Sequence, residues 1–193
     1  LVRTKDLEQS HVCLGAGAYP QNHASRYAAL VFNTLLGGSM SSRLFQNVRE
    51  KRGLAYSVSS GLSAFRDAGL LTIYAGCANT KVDEVVRVIM DELRAAVAQP
   101  VAASDLARAK DNVKGGLILG LESTWQRAAN LARQELYFGE PFTLDETLAG
   151  IDAVTADDVA RVAQELLAGA PLSLAVVGAV DGWTITEEDL QVT

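Results

Sequence analysis

Histidine and cysteine are the scarcest chemistry-bearing residues of this chain: His11, His23, Cys13 and Cys77 are all it has of either among 193 residues. A zinc–histidine catalytic centre built by this chain alone would have to use both histidines. Their spacing matches neither His-Glu-x-x-His nor His-x-x-Glu-His, so no metal site is assigned. His11 reads as a strand residue whose ring is satisfied locally, and His23 as exposed polarity in the first turn of a helix. Each cysteine sits in an apolar, strand-like stretch, which favours buried free thiols over a disulfide or a Cys-x-x-Cys site. Long apolar runs are missing too: nothing approaches the ~20 residues of a membrane-spanning helix. Basic residues are outnumbered 17 to 23, giving a net charge of −6. That balance argues against a nucleic-acid surface, which needs a lysine and arginine excess on some face. No charged-then-apolar targeting segment precedes the first structured stretch, and the chain starts at Leu1. The expectation is a domain cut from a longer polypeptide, whose compartment this end does not reveal.

What is present is ordinary globular material, 49% hydrophobic and 21% charged. A chain of this length suits one domain, residues 1–193, burying roughly 70% of its unfolded surface. Residues 1–8 read as a polar lead-in and 181–193 as an acidic tail with no assigned element. Residues 9–19 alternate as a strand, with Val12, Leu14, Ala16 and Ala18 facing one way and His11, Cys13, Gly15 and Gly17 the other. Asn22 is placed to cap a helix that ends at Gly37-Gly38. Ser41 or Ser42 opens a shorter helix carrying Leu44, Phe45 and Val48, which Gly53 stops. An antiparallel hairpin follows. Tyr56, Val58, Ser60, Leu62 and Ala64 share one face of its first strand, Asp67-Ala68-Gly69 makes the turn, and Gly69 is expected at positive φ.

Beyond the hairpin the pattern is helical. Thr80 to Asp83 resembles a capping box, ahead of a stripe made by Val82, Val85, Val86, Ile89, Leu93 and Val97. Ser104 is placed to cap a long helix weakened by Gly115, Gly116 and Gly120, and Ser123-Thr124 marks a restart. Thr143 and Thr155 begin two short helices, and Leu172 to Val180 reads as a buried strand. Helices segregated from mostly antiparallel strands define an α+β fold, with the helices packed on one face of the sheet.

Two glycine motifs are rejected. Gly15-Ala16-Gly17 lacks the third glycine of a dinucleotide fingerprint, since Pro20 stands there, and no acidic residue occurs between Glu8 and Glu50. Gly37 to Ser42 lacks the Gly-Lys-Ser/Thr ending of a P-loop, and a helix C-cap explains its glycines better. The segment from Leu36 to Ser60 carries more. Arg49, near a helix end, and Tyr56, at a strand start, are placed to converge on one rim of the sheet. On residue types alone, a solvated arginine and a half-buried strand aromatic is the simpler reading.

The run Gly-Gly-x-Met-Ser-Ser-Arg-Leu-Phe at 37–45, followed by Val-Arg-Glu-Lys-Arg-Gly-Leu-Ala-Tyr-Ser-Val at 48–58, resembles zinc peptidases of the pitrilysin/insulinase clan. The likeness is to their bacterial, mitochondrial-processing-peptidase-like branch. It extends through Leu106 to Lys110, Leu119 to Ser123 and Ile151 to Val159, covering roughly Ser10 to Val180. The resemblance implies a clam of two α+β halves around a chamber that takes a peptide in extended form. The zinc ligands and general base belong to the N-terminal half of such proteins, and none of that motif is present here. This chain therefore resembles the C-terminal half. The resemblance implies that Arg49 holds the substrate backbone and that Tyr56 donates its phenol to the substrate carbonyl oxygen. It also implies zinc in an N-terminal half or partner subunit, and a chain that by itself neither holds zinc nor cleaves peptides. The long glycine-rich loop of the presequence-recognising subunit is absent, so presequence recognition has no support. A homodimer through the chamber-facing surface and a cytoplasmic setting are further expectations for a bacterial member. The alternative is a non-catalytic subunit or structural homologue of such a peptidase with no proteolytic role.

Overall fold

The computed structural model describes residues 1–169 and 171–192. Five strands form one sheet: β1 (Val2–Thr4), β2 (Ser10–Ala18), β3 (Ala55–Ala64), β4 (Gly69–Cys77) and β5 (Ser173–Gly178), in the order β1-β5-β2-β4-β3. Every pairing is antiparallel except β1 with β5. The helices are α1 (Arg26–Leu36), α2 (Val82–Ala98), α3 (Ala103–Gly120), α4 (Thr124–Phe138), α5 (Leu144–Asp152) and α6 (Ala156–Leu167). The α+β class and the mostly antiparallel sheet are as the sequence predicts.

The alternation of β2 decides which face is covered. Val12, Leu14 and Ala16 are buried, as are Leu71, Ile73 and Ala75 opposite them on β4 and Leu174 and Val176 on β5. The stripe of α2 (Val82, Val85, Val86, Ile89, Leu93) closes on this side together with Val159, Val162 and Leu166 of α6. The opposite face carries His11, Cys13, Gly15, Thr72, Tyr74, Ser57 and Ser59, all of them half-buried or exposed. Both cysteines are free thiols, and burial pushes the Cys77 thiol up to about 11.

Several local expectations need correction. Residues 2–4, assigned to a lead-in, form an edge strand through pairing with β5, and all three side chains are exposed, so no alternation signals it. Asn22 does not cap α1. The helix begins at Arg26 after a turn in which the Ser25 amide donates to His23 Nδ1 at 3.1 Å. Thr80 and Ser104 cap nothing, because a 3₁₀ turn (Asn79–Lys81) leads into α2 and α3 starts one residue before Ser104. Gly69 is not among the positive-φ glycines of the described residues. Its missing Cβ matters because the Tyr19 carbonyl passes directly beside it. By contrast Ser123, Thr143 and Thr155 accept from the N3 amides of α4, α5 and α6, the latter two as full capping boxes.

Candidate functional site

The segment that carries Arg49 is fastened at both ends. Where α1 stops, the Gly37 and Gly38 amides donate to the Asn33 carbonyl at 3.0 and 2.9 Å. The Gly37 carbonyl in turn accepts from the Ser60 amide of β3 at 3.1 Å, and a Cβ on Gly37 would lie 2.5 Å from that nitrogen. Glycine is needed here for the close approach of helix end and strand edge. The buried Ser60 hydroxyl completes the clasp by donating to Asn33 Oδ1 at 2.8 Å. Ser42, not Ser41, opens the next turn: it is buried, and its hydroxyl accepts from the Phe45 amide.

The helix at 43–50 is not a regular α-helix, because Phe45–Glu50 winds as a π-helix, with the Lys51 amide donating to the Gln46 carbonyl at 2.9 Å. Such turns are rare and concentrate at functional sites. Asn47 and Arg43 tie this turn to α2 through Glu92, at 2.7 and 3.6 Å. Gly53, at φ +60°, then reverses the chain into β3.

A β-bulge sets the direction of Tyr56. Ala55 pairs with Cys77 and Ser57 with Gly76, so Tyr56 is the extra residue. Strict alternation predicts Tyr56 on the face of Val58, half-buried; instead it is 79% exposed while Val58 is buried. Bulges re-aim side chains in this way. The Arg49 guanidinium lies 5.3 Å from the centre of the Tyr56 ring and 4.8 Å from that of Phe45. Its only carboxylate neighbour among the described residues is Glu50, at 3.8 Å. The structure thus brings Arg49 and Tyr56 together on one rim, with the arginine close to two rings and Tyr56 exposed. Cation–π contact of this kind fixes a planar guanidinium without neutralising it.

Both histidines are engaged elsewhere. His11 Nδ1 lies 2.9 Å from the Tyr74 hydroxyl on the open face, the local satisfaction its strand position suggests. Tyr74, which the sequence does not single out, leans along β4 over Gly76, whose lack of a side chain makes the room. His23 stacks on Tyr19 at 4.1 Å. Tyr19 bonds Glu165, and burial followed by that carboxylate drives its phenol far above the ordinary range. No group of three or more His, Cys, Asp or Glu among the described residues is arranged to hold a metal ion. The residues present therefore do not fit a zinc site. No helix among them is long and apolar enough to cross a membrane.

A helix-covered, mostly antiparallel sheet with an arginine and a tyrosine side by side on its rim defines an α+β domain. The family model of the peptidase M16 inactive domain matches residues 1–113. The chain is 44% identical over 174 residues to an uncharacterized zinc protease of Streptomyces coelicolor, an overlap of 90% of this chain and 38% of that protein. A crystal structure of a conserved protein from Enterococcus faecalis superposes with a TM-score of 0.82 at 28% identity, covering 94% of this chain and 42% of that one. The crystal structure of a peptidase M16 inactive domain from Pseudomonas fluorescens gives 0.83 at 18% identity over 95% of this chain and 44% of that one, which shows the fold. This chain belongs to the M16 zinc-protease family as its inactive domain. It spans about two-fifths of the length of the Streptomyces relative.

Proposed function

We propose that this chain is the non-zinc C-terminal half of a zinc-dependent endopeptidase. In this reading it closes the substrate chamber against an N-terminal half or partner subunit that holds the metal. The open sheet face lines the chamber and an extended peptide lies across it. The Arg49 guanidinium, stacked on Tyr56 and Phe45 and lightly countered by Glu50, donates to peptide carbonyls of the bound substrate. The Tyr56 phenol donates a hydrogen bond to the carbonyl oxygen of the scissile bond as negative charge develops there. Because the bulge holds the ring out before substrate arrives, little reorganisation is needed at the moment of reaction. The observation that carries this reading is the pairing itself: a cation held over a phenol that has no other partner among the described residues.

The test is Tyr56→Phe in the protein that carries this chain together with its zinc-holding part. Removing an oxyanion donor costs about 10²–10³ in kcat. Turnover of an extended peptide should fall by that order while KM stays within about threefold. Turnover equal to wild type would remove the phenol from the reaction.

A further inference from the structure

We propose that a cavity of this chain binds a small carboxylate carried on an apolar body. It lies between α1, α4 and the 139–143 loop, away from the Arg49–Tyr56 rim, with a volume of about 260 Å³. That is slightly below the roughly 300–1,000 Å³ of drug-sized sites and limits the occupant to one residue-sized group.

Its central feature is Arg26. The guanidinium carbon sits 4.4 Å from the Tyr27 ring centre, 5.2 Å from Phe138 and 5.5 Å from Phe142. The two phenylalanines hold each other edge to face at 4.9 Å and 68°. Tyr27 can lie where it does because Gly150 of α5 has no side chain to occupy its ring's place. The Gln134 side chain accepts from the Phe142 amide at 2.9 Å, pinning the loop that brings the third ring. This half-buried cation has three rings beside it, yet no carboxylate among the described residues reaches it. Its polar contacts are two long hydrogen bonds, to the His23 carbonyl at 3.5 Å and the Tyr27 hydroxyl at 3.3 Å.

The surroundings repeat the sign. Arg133 lines the same cavity, also without an ion pair among the described residues. An adjoining depression of about 190 Å³ shares Asn130, Gln134 and Phe142 and adds Arg127. Neither is lined by a single aspartate or glutamate, in a chain that has 23 of them. Arginine's fork matches a carboxylate with two parallel hydrogen bonds, which strengthen where water is excluded. The amides of Asn130 and Gln134 supply further donors, and the rings with Leu30 and Leu62 take the apolar body. Such a group occurs as a free acylated amino acid or as the last residue of a peptide.

Calorimetric titration with N-acetylphenylalanine, its carboxamide and a hexapeptide ending in phenylalanine tests this in the protein that carries this chain. The acid should saturate the site at millimolar or lower concentration and the carboxamide should bind at least about tenfold more weakly. Arg26→Gln should weaken the acid by at least about tenfold, with Arg26→Lys recovering only part, because lysine keeps the charge and loses the fork. Arg133→Gln, at an exposed position where folding is not at stake, should weaken it about threefold. A peptide that binds tighter than the free acid assigns the site to chain ends; equal binding assigns it to the free acid. Equal affinity for acid and carboxamide, no saturation at millimolar concentration, or full affinity in both Gln variants overturns the proposal. The readout is binding alone, so it stands or falls apart from the peptidase reading.

Discussion

α2 and α3 are nearly equal in length, 17 and 18 residues, yet they live in different solvents. α2 buries seven side chains and α3 only Ala109 and Val113. The contrast repeats in a second pair: α6 buries five of its 12 residues and α4 none of its 15. The difference begins in sequence. α2 and α6 carry unbroken valine, isoleucine and leucine stripes at helical spacing. α3 interrupts its stripe with Gly115 and Gly116, beside which there is open space where a side chain would be. Exposed Leu119, Trp125 and Leu136 lie on the α3–α4 side. Stability is therefore concentrated where α2 and α6 meet the sheet, while α4 supplies chemistry, in the form of Arg133 and Phe138, to a cavity it helps to wall.

The sharpest way to break that comparison is to cut into α2. Leu93 is fully buried, so Leu93→Ala removes three heavy atoms from a packed site and leaves a cavity. The expected loss is about 2–5 kcal/mol. Urea denaturation should show it as a lower midpoint at unchanged slope. A loss below about 1 kcal/mol would mean that α2 is no more central than α4.

The same contrast governs how much could be read in advance. The α2 stripe, the β2 alternation and the Thr143 and Thr155 boxes are local patterns, with periods of a few residues, and the structure has them where the sequence puts them. What escaped depends on contacts distant in the chain. β1 exists because β5, more than 170 residues on, offers an edge. The role of Gly69 is set by the Tyr19 carbonyl, not by its own turn. At the site, the motif singled out Arg49 and Tyr56, but neither the π-turn nor the bulge has a signature in residue type. The alternation that correctly placed Val58 misplaced Tyr56 by that one bulge. The Arg26 cavity drew no notice because its rings come from three separate segments.

A smaller effect sharpens the picture at the start of α6. Thr155 bonds Asp158 both ways, and Thr155→Ala should cost about 1 kcal/mol, within 0.5–2 for such caps. The Thr155 backbone amide, then its hydroxyl, hold the Asp158 carboxyl below its ordinary value. A carboxylate with a lowered folded-state pKa stabilises above its ordinary pKa and loses that contribution as pH falls through the lowered value. The gap between wild type and variant should therefore narrow in acid. A gap that widens as pH falls would contradict the box.

The smallest effect belongs to α4. Leu136 is 77% exposed, as large an apolar side chain as Leu93 and on a helix of comparable length. Truncating it removes little surface from a packed environment, so Leu136→Ala should change the stability of this chain by no more than about 0.5 kcal/mol. Alanine's better helix propensity works in the opposite direction to any lost contact. The same denaturation experiment, run beside Leu93→Ala, makes the comparison internal: one residue type, one substitution, two helices. If Leu136→Ala cost 2 kcal/mol or so, α4 would have to be packed on something that its exposed position does not provide within this chain, and the division between a stabilising sheet layer and a loosely held outer pair would fail.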